Sequence, residues 1–140
     1  MSAGMTDLIR AYTRPDKYAV DLPIDKVVCD EDVDDDYVQR LAEMDLSKLK
    51  PIIVIKHPHK EIYAVLDGHH RFKAARLSGV RMIKAAVVDD YVGLGFELTR
   101  QGVFQPSPDF TRYVRLPLKR FVDYMRDFLF DAEESKVSLR

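Results

Sequence analysis

The sequence predicts an α+β fold, a small sheet flanked by helices and followed by a helical C-terminal extension. Three observations predict it. Residues 51–56, 61–66 and 82–88 are apolar, β-prone runs bounded by turn residues, as expected of strands. At Asp67-Gly68 the second run turns straight into a helical segment that Gly79 stops. Leu118, Phe121, Val122, Met125, Phe128 and Leu129 recur at helical spacing, with charges on the opposite side.

In chain order, residues 1–4 are expected to be a flexible start and 7–12 a short helix ended by Pro15. Residues 22–28 read as the first strand, with Pro23 near its start, where a missing N–H is tolerable. Residues 30–36 are acidic at six of seven positions and lead into a helix from 35 to about 44, with Val38, Leu41 and Ala42 on one face. This acidic run has two readings. It caps the helix dipole and stays solvated, or Asp30, Glu31 or Asp32 holds Mg²⁺ or acts as a base. His57-Pro58-His59-Lys60 is a turn joining two strands, and its histidines are expected at the surface. The proline between them and the lack of a nearby third ligand argue against a metal site. Residues 91–101 form a helix weakened by Gly93 and Gly95, and 102–109 a loop. The stripe at 118–129 is either core packing or the seam of a homodimer. Arg112, Arg115, Lys119 and Arg120, near Tyr113, are either a solvated face or a nucleic-acid patch. These elements divide the chain into an N-terminal segment (1–21), a central domain (22–89) and a helical extension packed on it (90–140).

At 140 residues the chain suits one domain and buries enough surface for a core without staples. A single cysteine excludes an internal disulfide framework and suits a reducing compartment, so a cytoplasmic location is expected. No run reaches the length of a membrane span, and no signal-peptide core is present. The net charge of −1 offers no global basic field to nucleic acid. Charge is nevertheless uneven. The first seventy residues hold nine basic and fourteen acidic side chains, the last seventy thirteen basic and nine acidic.

The junction Asp67-Gly68-His69-His70-Arg71 carries the chemistry. A helix N-terminus presents unpaired N–H groups and partial positive charge, a seat for phosphate. Gly68 lets a ligand approach the backbone, and Arg71 can grip a phosphate through two parallel hydrogen bonds. A plainer reading also fits: Asp67 caps the helix, Gly68 serves the turn and the histidines are solvated.

These residues, with Ala74-Ala75 and Leu77-Ser78-Gly79, resemble the signature of the ParB/sulfiredoxin superfamily over residues 22–89. The resemblance implies a ParB/sulfiredoxin-like small mixed sheet and nucleotide phosphates held at Gly68, His69, His70 and Arg71. The superfamily includes CTP-binding partitioning proteins, ATP-using sulfiredoxins and free serine kinases. Sulfiredoxins carry a catalytic cysteine directly before the His-Arg pair, and here His69 stands there, with Cys29 some forty residues upstream. Partitioning proteins have Gly-Glu-Arg-Arg where this chain has Gly68-His69-His70-Arg71. The free serine kinases look nearest, with an Asp-Gly-His-x-Arg junction and an acidic residue after the first strand, a place comparable to that of Glu31.

That branch implies a phosphotransferase moving a phosphoryl group from ATP or ADP, with Mg²⁺, to a small hydroxyl compound. Glu31 would be the general base and His70 a donor to the phosphates. His69 would do the same or face solvent. Asp67 would take a proton, ligate Mg²⁺ or cap the helix. The alternative is a non-catalytic or CTP-gated ParB-like regulator acting on DNA or a protein partner. Near-neutral charge and the lack of a DNA-reading helix disfavour DNA.

Overall fold

The computed structural model describes residues 3–29, 35–100, 104–105 and 114–115. Five of its strands form one mixed sheet in the order β1-β5-β3-β4-β2. They are β1 (Ala19–Pro23), β2 (Val27–Val28), β3 (Ile52–Lys56), β4 (Tyr63–Asp67) and β5 (Met82–Val88). β3 is central because Ile52, Ile53, Val54 and Ile55 suit a pleat covered on both faces, and all four are buried. It runs parallel to β5 and antiparallel to β4.

Helices cover both faces. α4 (His69–Leu77) packs Phe72 against Ile52, Val54 and Val65 on one side. Full burial of such a side chain contributes about 2 to 3 kcal/mol. α1 (Ala3–Thr13) and α5 (Tyr91–Arg100) pack Met5, Leu8, Leu94 and Leu98 against Ile53, Ile55, Leu66 and Val88 on the other. α3 (Asp35–Ala42) rests on α4 through Val38, Leu41 and Ala74.

Residues 22–28 are not one strand. Pro23 has no N–H for the ladder, and Ile24–Lys26 tightens into a 3₁₀ turn. The turn separates β1, antiparallel to β5 at one sheet edge, from β2, parallel to β4 at the other. The start of the chain also differs from expectation. Ala3 and Gly4 belong to α1, where Asp90 accepts the Gly4 N–H at 2.9 Å and the Gly93 N–H at 3.1 Å. α1 ends at Thr13, and Pro15 opens a second short helix, α2 (Pro15–Tyr18), its fixed φ suiting a first helical position.

His57 is not a surface residue. It is buried, and its Nδ1 accepts the His59 N–H at 3.0 Å and the Lys60 N–H at 3.1 Å. The ring thereby closes the β3–β4 turn from inside and stacks on Tyr91, while His59 stays exposed. α5 forms despite Gly93 and Gly95, because burial of Leu94 and Leu98 outweighs a propensity cost of about 1 kcal/mol per glycine. Two short strands, β6 (Phe104–Gln105) and β7 (Val114–Arg115), pair antiparallel. The apolar stripe at 118–129, read as core packing or a homodimer seam, lies outside the described residues, as do Asp30, Glu31 and Asp32. No helix among the described residues is long and apolar enough to cross a membrane.

Candidate functional site

The junction after β4 begins with a register shift. Ile53 pairs with Asp67 but Val54 with Val65, so a bulge lies at Leu66, and bulges re-aim the chain that follows. Gly68 then adopts φ 101°, ψ 30°, a left-handed conformation open to glycine at little cost. A Cβ here would stand 2.7 Å from Ile52 Cγ2 and 2.9 Å from Arg71 Nη2, so the position has no room for a side chain. Gly68 is the N-cap of α4, and no side chain caps that helix. Its far end closes with Gly79 at φ 76°. There the Gly79 N–H reaches Arg76 O and the Val80 N–H reaches Ala75 O, a Schellman closure.

Asp67 therefore does not cap the helix. Its Oδ1 lies 3.8 Å from Arg71 Nη2, an ionic approach too long for a hydrogen bond. Arg71 Nη1 donates to Lys50 O at 2.9 Å and to Pro51 O at 3.0 Å. The guanidinium is thus fixed at one corner, with its Nε and Nη2 donors not engaged by those carbonyls. His70 is half-buried and meets the Tyr37 ring edge to face, with centroids 4.9 Å apart.

His69 and His70 part company. His69 is fully buried, and its Nδ1 lies 3.0 Å from Cys29 Sγ. Neither the solvent-facing reading nor free reach of its ring to a ligand fits that placement. The spacing carried a signal, because His69 precedes the core residue Phe72 by three and so shares its helix face. Nothing in the spacing signalled that Cys29, forty residues away, meets it.

These groups line a cleft of about 520 Å³, bounded by Tyr12 of α1, Tyr37 of α3, Lys48 to Pro51 and the junction from Asp67 to Arg71. Lys48, Lys50, Tyr12 and Tyr37 were not singled out by sequence. The two lysines flank Leu49 just before β3, and only the fold brings them opposite the α4 N-terminus. Asp67 is the one carboxylate among the described residues lining the cleft, so cationic groups outnumber it. Among the described residues no three His, Cys, Asp or Glu side chains gather as a metal cluster. A Mg²⁺ accompanying a nucleotide would fit here chiefly through phosphate oxygens and water, with Asp67 the carboxylate at hand.

The model of the ParB N-terminal domain family matches residues 22–93, from the end of β1 through the junction into α5. The chain belongs to that family. The match excludes α1, whose Ala11 and Tyr12 complete the cleft wall. An uncharacterized protein of Methanocaldococcus jannaschii is 38% identical over 69 residues, which is 48% of this chain and 26% of that protein. Among solved structures, ParB from Caulobacter crescentus complexed with CTP-γ-S gives a TM-score of 0.45 at 20% identity, covering 59% of this chain and 52% of that one. A free serine kinase in complex with AMP gives 0.46 at 19% identity, covering 63% and 46%. The chain thus spans about a quarter of the curated relative it matches and about half of each of these two structures.

Proposed function

We propose that the cleft binds a nucleotide with its phosphates over Gly68 to Arg71, and that the protein transfers a phosphoryl group from ATP or ADP to a small hydroxyl compound. One observation carries this reading. A helix N-terminus with no side-chain cap, reached through a left-handed glycine, opens into a 520 Å³ cleft flanked by Lys48, Lys50, His70 and Arg71. Such an arrangement meets a polyphosphate with backbone donors, the helix dipole and fixed cations together.

In that reading the phosphates take the α4 amides, the Nε and Nη2 donors of Arg71, and the two lysines. His70 donates to a phosphoryl oxygen, held in place by Tyr37. The acceptor hydroxyl attacks phosphorus, the bond from phosphorus to the departing nucleotide oxygen breaks, and the hydroxyl proton goes to a carboxylate. Glu31 is the base that the family resemblance suggests, and Asp67 is the carboxylate within the described cleft. Transfer of this kind asks mainly for positioning and charge neutralisation.

The test is thermal unfolding with Mg²⁺ and ATP, ADP or CTP, on the wild type and on Lys48→Ala/Lys50→Ala and Arg71→Ala variants. Ligand at about a hundred times its dissociation constant should stabilise the wild type by about 2.7 kcal/mol. The double lysine variant should need several-fold more nucleotide. Arg71→Ala should lose the effect and also some intrinsic stability, because its two carbonyl partners lose their donor. Phosphorus NMR with hydroxyl compounds then reads transfer directly. Stabilisation by CTP alone, with no transfer, would instead favour the nucleotide-gated regulator, to which the ParB family membership also points. No stabilisation by any nucleotide would defeat both readings.

A further inference from the structure

A second cavity of about 240 Å³ lies beyond Arg71, between α4, the entry to β3 and the β1–β5 edge. Its apolar lining includes Leu49, Ile52, Ala75 and Ile83. Its charged lining is Lys50, Arg71, Lys84 and Asp21, the last two paired in register across β1 and β5. Three cations against one carboxylate leave an excess of positive charge beside an apolar wall. A ligand for such a site has a short hydrocarbon body and one anionic head, since an anion complements the excess of cations and a neutral or cationic head does not. The cavity is less than half the size of the 520 Å³ cleft and suits a short chain better than a nucleotide.

The two cavities share a wall. Leu49, Lys50 and Arg71 line both, and Arg71 is tied to the carbonyls of Lys50 and Pro51. Ile52 lines the second cavity, and its Cγ2 lies 2.7 Å from where a Cβ on Gly68 would stand. A group filling the second cavity therefore presses on the residues that set the position of Gly68 and Arg71.

We propose that this cavity is an effector site for a small amphiphilic anion of the short-chain carboxylate class, and that its occupancy alters nucleotide affinity in the adjoining cleft. The site stands on its own geometry, whereas the coupling rests on the nucleotide reading above.

The probe is hexanoate, added to the full chain carrying ¹³C-labelled isoleucine methyls, with hexanol and hexylammonium as controls. Saturable shifts at Ile52 and Ile83 are expected at about millimolar hexanoate without nucleotide, with much weaker effects from the two controls. Ile83→Trp should fill the cavity and abolish the shift that remains readable, at Ile52. Lys84→Glu, at an exposed position that leaves the core intact, should weaken binding about fivefold. Saturating hexanoate should then change the nucleotide dissociation constant, and nucleotide should change that of hexanoate by the same factor. Absence of saturable shifts, or equal response to all three probes, overturns the site. Hexanoate binding with unchanged nucleotide affinity overturns the coupling. Hexanoate binding to a chain that ignores every nucleotide retains the site and removes the proposed function instead.

Discussion

Single residues in this chain are placed by what lies across the sheet from them. Tyr63, in β4, is buried, and burial pushes its phenol pKa above the ordinary 10.0, helped by the carboxylates of Glu61 and Asp89. The folded state therefore favours the neutral phenol, while the unfolded chain ionises near 10.0. Stability from this group is complete below that pH and is lost as pH climbs through the raised folded value. Urea unfolding between pH 9 and 11 should show a fall of up to about 1.4 kcal/mol per pH unit from one linked proton. Tyr63→Phe should lose that part of the slope; an identical slope in both proteins would refute the assignment. His57 and His69 teach the same lesson without titration. Both are polar by type, and both are buried because a partner waits inside, the turn amides for one and Cys29 for the other.

Between elements, the contact with the most leverage is Asp90. One carboxylate receives N–H groups from the first turns of α1 and α5, more than eighty residues apart. Each helix gains a satisfied donor and a negative charge at its positive end. Asp90→Ala should cost about 2 kcal/mol in denaturant unfolding, and Asp90→Asn, which retains one acceptor, about half of that. A loss under about 0.5 kcal/mol from the alanine variant would mean that apolar packing alone seats the two helices. The same contact explains why Ala3 and Gly4 are helical where a flexible start was expected. Their anchor lies 86 residues along the chain from Gly4, out of reach of any local reading.

For the molecule as a whole, the described part of the N-terminal segment is structural. Met5 and Leu8 are fully buried in the cluster that contains β3, β4, β5 and α5. Burial of two such side chains is worth about 3 to 6 kcal/mol, against a net stability of about 5 to 15 kcal/mol for a domain. A chain starting at residue 22, where the family match begins, should thus unfold at markedly lower urea concentration or fail to fold cooperatively. Circular dichroism would decide; an unchanged midpoint would mean that residues 1–21 are dispensable for the fold.

What the sequence determined was local. Three of the strands, the turn at Asp67-Gly68, the stop at Gly79 and the resemblance around His70-Arg71 all follow from preferences expressed within a few residues, where sterics and hydrogen bonding are decisive. What the tertiary structure decided was which face and which neighbour. It split residues 22–28 across opposite sheet edges, turned His69 inward beside Cys29 while His70 stayed by Tyr37, and set Lys48 and Lys50 against the α4 N-terminus. Such placements depend on strand register and helix packing between segments tens of residues apart. A one-residue change of register, or a turn of about 100° along a helix, reverses what a side chain meets, and no short pattern in the chain records that choice.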